Sequence, residues 1–126
     1  MESALFRIES NRKQREAVIE KALSVSARDA AFLIQIYNVR HTRYGQHPLP
    51  EPIAASEIDL PFSDAEIKDA MSDASHLIDA AYDMGDAFLG KVPDLAEREL
   101  AFREAHPGFS EASYWDATDY GCFLAR

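Results

Sequence analysis

Residues 62–90 constrain the fold more than any other stretch of this chain. Ser63 and Glu66 have the Ser-x-x-Glu spacing of a capping box, and Phe62 and Ile67 flank it at the spacing of a hydrophobic staple. Behind that start, Ile67, Ala70, Met71, Ala74, Leu77, Ile78, Ala81, Phe88 and Leu89 fall on one arc of a helical wheel. Glu66, Asp69, Asp73, His76, Asp79, Asp83 and Asp86 fall opposite. The pattern predicts a long amphipathic helix ending at about Leu89, with Gly90 as its stop and a bend at Gly85.

Other segments repeat the helical period. One helix is expected from about Ser10, or from as early as Ser3, to Ser24, with Val18, Ile19, Ala22 and Leu23 as its apolar edge. A second runs from Ala27 to about Tyr44, capped by Ser26 and Asp29. Its centre, AAFLIQIYNV, is apolar nearly all round, which predicts the buried middle of a bundle. A fourth fits Asp94 to Ala105, with Asp94 as N-cap and Leu95, Ala96, Leu100 and Phe102 inward. A final one follows Pro107-Gly108, capped by Ser110, with Phe109 and Tyr114 as a second staple. Residues 46–62, with Pro48, Pro50, Pro52 and Pro61, break the series. Ile53, Ile58, Leu60 and Phe62 should pin that loop to the core, with a short helical turn near AASEID. No run alternates for long and no Asn-Gly or Asp-Gly hairpin occurs. The expected fold is all-α: one domain over residues 1–126, a bundle of about five helices with a proline-rich loop after the second.

The final helix is dense in aromatics. Tyr114, Trp115, Ala117, Thr118, Gly121, Cys122, Leu124 and Ala125 are expected on its inner side. Ala117, Gly121 and Ala125 make a strip of small residues that lets another helix come close. Asp116, Asp119 and Phe123 point outward. Tyr120 and Phe123 are left over as a candidate apolar patch for a partner.

Charge narrows the function. The formal net charge is −9, which opposes nucleic-acid backbones and anionic membranes. It is split unevenly: residues 1–45 hold eight Lys/Arg against five Asp/Glu, and residues 46–126 hold five against seventeen. The basic segment NRKQR and the acidic stripe of the third helix are therefore candidate partners between copies or between proteins. A single cysteine, Cys122, forms no intrachain disulfide. With no secretory signal and no membrane-length apolar run in the sequence, a cytoplasmic protein is expected.

Two clusters could carry chemistry. Asp73-x-x-His76 sets a carboxylate and an imidazole at i, i+3, an echo of one element of di-metal bundles, although it faces away from the apolar arc. Arg40, His41, Arg43, Tyr44 and His47 gather at a helix end beside the proline-rich loop, where arginine and histidine are suited to holding a small anion. Dipole compensation already accounts for the basic charge there. No P-loop, dinucleotide-binding, nucleophile-elbow or paired Cys-x-x-Cys motif is present, and no cofactor is implied. The reading that results is a non-catalytic protein-interaction module whose partner is another protein or a second copy. Its rival is a metal- or anion-binding enzyme using Asp73 and His76, or the Arg40–His47 cluster.

Overall fold

The computed structural model describes residues 4–42 and 51–126, with the side chains of 4–7 and 41–42 outside that description. Among these residues there are five α-helices and no strand: α1 (Ala4–Ala22), α2 (Ala27–Thr42), α3 (Asp64–Leu89), α4 (Leu95–Ala105) and α5 (Glu111–Ala125). A single 3-10 turn at Ala55–Glu57 precedes α3, within the expected AASEID segment. The chain is a small all-helical bundle.

Local hydrogen bonds set where the helices begin. Ser63 Oγ accepts the Glu66 amide at 3.1 Å, and Glu66 accepts the Ser63 amide in return at 3.4 Å. Ser26 Oγ accepts the Asp29 amide at 3.2 Å at the start of α2. Ser110 Oγ accepts the Ser113 amide at 3.3 Å at the start of α5. Each bond satisfies a donor that the first helical turn leaves without an intrahelical acceptor. Asp94 departs from expectation: its side chain makes no cap bond and pairs instead with Arg98 at 3.1 Å. At the end of α3, Gly90 is the C-cap with ordinary φ, and the left-handed residue is Lys91 at φ 50°.

Packing places α3, not α2, at the centre. Its largest interface is with α5, followed by α2 and then α4. One apolar cluster joins Phe32 and Ile36 of α2, Leu77, Ile78, Ala81 and Met84 of α3, Phe102 of α4, and Tyr114 and Tyr120 of α5. Burying a side chain the size of Leu77 contributes roughly 1.5–3 kcal/mol. The second cluster joins Ile34 and Tyr37 to Ile53 and Ile58, with Val18 and Ile19 of α1 against it. The all-round apolar character of α2 follows: it is sandwiched between two clusters rather than surrounded by helices. Several residues expected inside lie at the rim and are exposed: Leu23, Phe88, Leu89 and Leu100.

Gly85 and Gly121 are the point of closest approach between α3 and α5. A Cβ on Gly121 would lie 2.6 Å from the carbonyl carbon of Ala81 and nearer still to its oxygen. The helix continues unbroken through Gly85, where the missing side chain lets α5 come close. Of the strip expected to allow this, Ala117 and Gly121 are buried and Ala125 is partly exposed.

The loop before α3 is tied to the body by side-chain amide and guanidinium groups. Asn38 donates to the Ile53 carbonyl at 2.9 Å and accepts the Ile53 amide at 2.8 Å. Arg15 donates to the carbonyls of Glu51 (3.3 Å) and Pro52 (3.1 Å) and to the Glu57 carboxylate (2.5 Å). Glu57 in turn accepts the Ala54 amide at 2.8 Å. These bonds, Arg15 first and Ala54 second, hold the Glu57 carboxyl below its ordinary value of 4.5. A depressed carboxylate pKa means the unfolded chain binds the proton more readily. The Glu57 contribution is therefore complete above the unfolded pKa and is lost as pH falls through the folded one. A carbon-detected NMR titration should show Glu57 titrating below free glutamate, and Arg15→Gln should return it to the ordinary range.

Candidate functional site

α5 has two unlike faces. Ser113, Tyr114, Ala117, Thr118, Tyr120, Gly121 and Cys122 are buried, an arc of roughly 200° at about 100° per residue. The open arc carries Trp115, Asp119 and Phe123 at i, i+4, i+8. Trp115 is 52% exposed and Phe123 47%. Two expectations change places here. Tyr120, expected in the exposed patch, is 2% exposed within the main cluster, while Trp115, expected inside, faces water. Phe123 stands where it was expected.

Both edges of the open face are grooved. On one side a cleft of about 400 Å³ runs between the α1–α2 junction and α5, lined by Lys21, Val25, Leu33, Trp115, Asp116 and Asp119, with Asp29 and Ser113 deeper in. Toward the C-terminus a cleft of about 280 Å³ is lined by Arg40, Asp119, Phe123 and Arg126. Arg40 separates the two. Its guanidinium reaches Asp116 at 2.8 Å and Asp119 at 3.5 Å, donates to the Asp116 carbonyl at 3.3 Å, and lies 5.8 Å from the Tyr120 ring centre. The residue expected to clamp an anion is instead bound to α5. In the remainder of that expected cluster, His41 lies in α2 with its side chain outside the description, and Arg43, Tyr44 and His47 lie outside the described residues.

The floor of the larger cleft is rigid. Asp29 Oδ1 accepts the Ser110 amide at 3.0 Å and the Ser113 hydroxyl at 2.7 Å, and Oδ2 accepts the Ser26 hydroxyl at 3.2 Å. One carboxylate thus ties the first turn of α2 to the first turn of α5, where negative charge also suits the helix dipole. Around the same turn, Phe109 and Tyr114 meet edge to face at 5.9 Å, the expected staple. Arg103 pairs with Glu111 and lies over the Tyr114 ring.

The other sequence candidates resolve differently. Asp73 is engaged by Arg28 at 3.0 Å, and His76 is solvent-exposed. Among the described residues no three His, Cys, Asp or Glu side chains converge as metal ligands would. Cys122 donates weakly to the Gly85 carbonyl at 3.7 Å, and burial, with Asp119 adding to it, pushes its thiol pKa up. That environment disfavours a thiolate nucleophile.

Sequence reasoning missed Trp115 because it sits only about 20° from Cys122 on the wheel, at the boundary of the buried arc. Its i, i+4, i+8 register with Asp119 and Phe123, both read as outward, was the available signal. No helix of the described residues is long and apolar enough to cross a membrane. No protein-family model, curated protein or solved structure matches the chain.

Proposed function

We propose that this chain is a non-catalytic cytoplasmic protein-binding module and that the open face of α5 docks a second copy of it. The observation that carries the reading is that Trp115 and Phe123 are each about half exposed on one stripe, two turns apart, with a groove beside each. Tryptophan offers a large contact area with few rotatable bonds and is enriched at the centres of protein interfaces. Asp119, exposed and held only at 3.5 Å by Arg40, gives the stripe an acidic edge, while Asp116 is paired with Arg40 at 2.8 Å. The complementary charge in the same chain is the exposed Lys13 of α1; Arg12 beside it is already paired with Glu9 at 3.2 Å. Such charges steer association and set register more than they add affinity. The cytoplasmic part of the reading rests on the lone, buried, unpaired Cys122. The Arg40 arm of the rival enzymatic reading draws no support from the geometry, because Arg40 is bound to Asp116 and Asp119.

Size-exclusion chromatography with light scattering tests this across protein concentration and salt. The native chain should rise from 14.1 kDa toward twice that mass as concentration increases. Salt should weaken the association, since about 0.1 M already screens exposed charges beyond roughly 10 Å. The Trp115→Ala/Phe123→Ala double variant should stay monomeric with its melting temperature nearly unchanged. A native chain that keeps the monomer mass at every concentration overturns the proposal.

A further inference from the structure

A third cleft, of about 250 Å³, lies away from α5's open face, where the first turn of α2, the middle of α3 and the α4–α5 turn meet. Arg28, Asp73, His76, His106 and Phe109 line it. The charge balance there is unusual for this molecule. Arg15, Arg40, Arg98 and Arg103 are each matched to at least one carboxylate. Here Arg28 is matched to Asp73 in the same way, and two imidazoles lie beside the pair with no further carboxylate among the lining residues.

The donors are held in place. Arg28 Nε–H goes to Asp73 at 3.0 Å, and its terminal N–H groups make no hydrogen bond to a described residue. The other side of Arg28 is braced by the turn. Gly108 has φ +91°, and a Cβ there would meet the Arg28 side chain, so glycine lets the turn close onto it. His106 is fixed from two sides: its ring packs on Phe102 at 5.6 Å, and its carbonyl accepts the Tyr114 hydroxyl at 2.6 Å. Neither imidazole hydrogen-bonds to a described residue. Burial, and then the charge of nearby His76, hold the His106 proton affinity down. The cleft therefore holds more N–H donors than the one carboxylate in it, Asp73, accepts from.

We propose that this cleft binds the carboxylate or phosphate group of a small anion, with Arg28, His76 and His106 as donors. The volume falls below the roughly 300–1,000 Å³ of sites for drug-sized ligands, which suits one compact charged group rather than a nucleotide. Bound oxyanion accepts from the terminal N–H groups of Arg28 and from the protonated imidazoles. Binding therefore draws a proton onto His106.

The test is an NMR titration of the imidazole Cε1–H signals of the full chain in sodium phosphate, sodium acetate and sodium chloride at matched ionic strength. Four histidines report, and His41 and His47 serve as internal controls. The His76 and His106 signals should move in phosphate or acetate relative to chloride, and His106 should titrate at higher pH there, with a Kd on the order of millimolar. Response to phosphate alone assigns a tetrahedral anion, and response to acetate as well assigns oxyanions generally. Arg28→Gln should weaken binding about tenfold. Because Arg28 also braces the turn, His76→Gln, at an exposed position, provides an independent variant and should weaken binding several-fold. Identical titrations in all three salts, or an unchanged response in the His76→Gln variant, would falsify the assignment.

Discussion

Gly121→Ala should destabilise the fold by about 3 kcal/mol or more, a large fraction of the roughly 5–15 kcal/mol that holds a domain together. The sign is the informative part. In an exposed helix interior, replacing glycine by alanine is favourable by roughly 0.5–1 kcal/mol. Here the new methyl group meets the Ala81 carbonyl, backbone that cannot swing aside as a side-chain tip would. Gly85→Ala should have the same sign, because its Cβ would lie 2.6 Å from the Gly121 carbonyl oxygen and closer to other Gly121 and Cys122 backbone atoms. The two glycines share one crossing, so the double variant should cost less than the sum of the singles. Gly90→Ala is the control: its φ is −74° and its nearest neighbour would be 3.3 Å away, so the change should be small. Thermal denaturation followed by circular dichroism separates these outcomes. A Gly121→Ala protein as stable as the native one would mean that α3 and α5 do not meet backbone to backbone.

Asp29→Ala should cost about 3 kcal/mol, since hydrogen bonds to a charged group contribute roughly 1.5–3 kcal/mol and two donors would lose their shared acceptor. Asp29 is 9% exposed, and Ser113 beside it is also buried. Removing the carboxylate strands the buried Ser113 hydroxyl and takes the acceptor from the Ser110 amide. Asp29→Asn keeps an acceptor oxygen and should lose about half as much. Ser110→Ala, which removes only a cap, should cost about 1 kcal/mol. Urea denaturation of the three variants gives the ranking. An Asp29→Ala loss no larger than that of Ser110→Ala would show that the carboxylate does not couple the two helix starts.

The capping signals at Ser26, Ser63 and Ser110 were legible because each is a local bond with fixed spacing. The wheel was legible in its middle and ambiguous at its edges. With so wide a buried arc on α5, Trp115 and Tyr120 lay near opposite boundaries, and each was placed on the wrong side. The centrality of α3 was hidden because α2 has the more uniformly apolar sequence; what makes α3 central is its 26-residue length and the small residues that admit α5. Of the cleft proposed to bind an anion, Asp73 and His76 were legible as a pair on one helix face, but Arg28 and His106 were not. Arg28 and Asp73 are 45 residues apart, and Asp29 and Ser113 are 84 apart. No periodicity reports such pairs; they exist only once the helices have packed.

What unites these observations is a helix with one side pressed backbone to backbone on its neighbour and the other side left bare. Trp115, the one tryptophan, reports directly on the bare side through its fluorescence. In dilute monomer its emission should match indole in water, and a neutral quencher should reach it freely. Blue-shifted, quencher-protected emission in that dilute monomer would place the indole inside the fold and contradict the account.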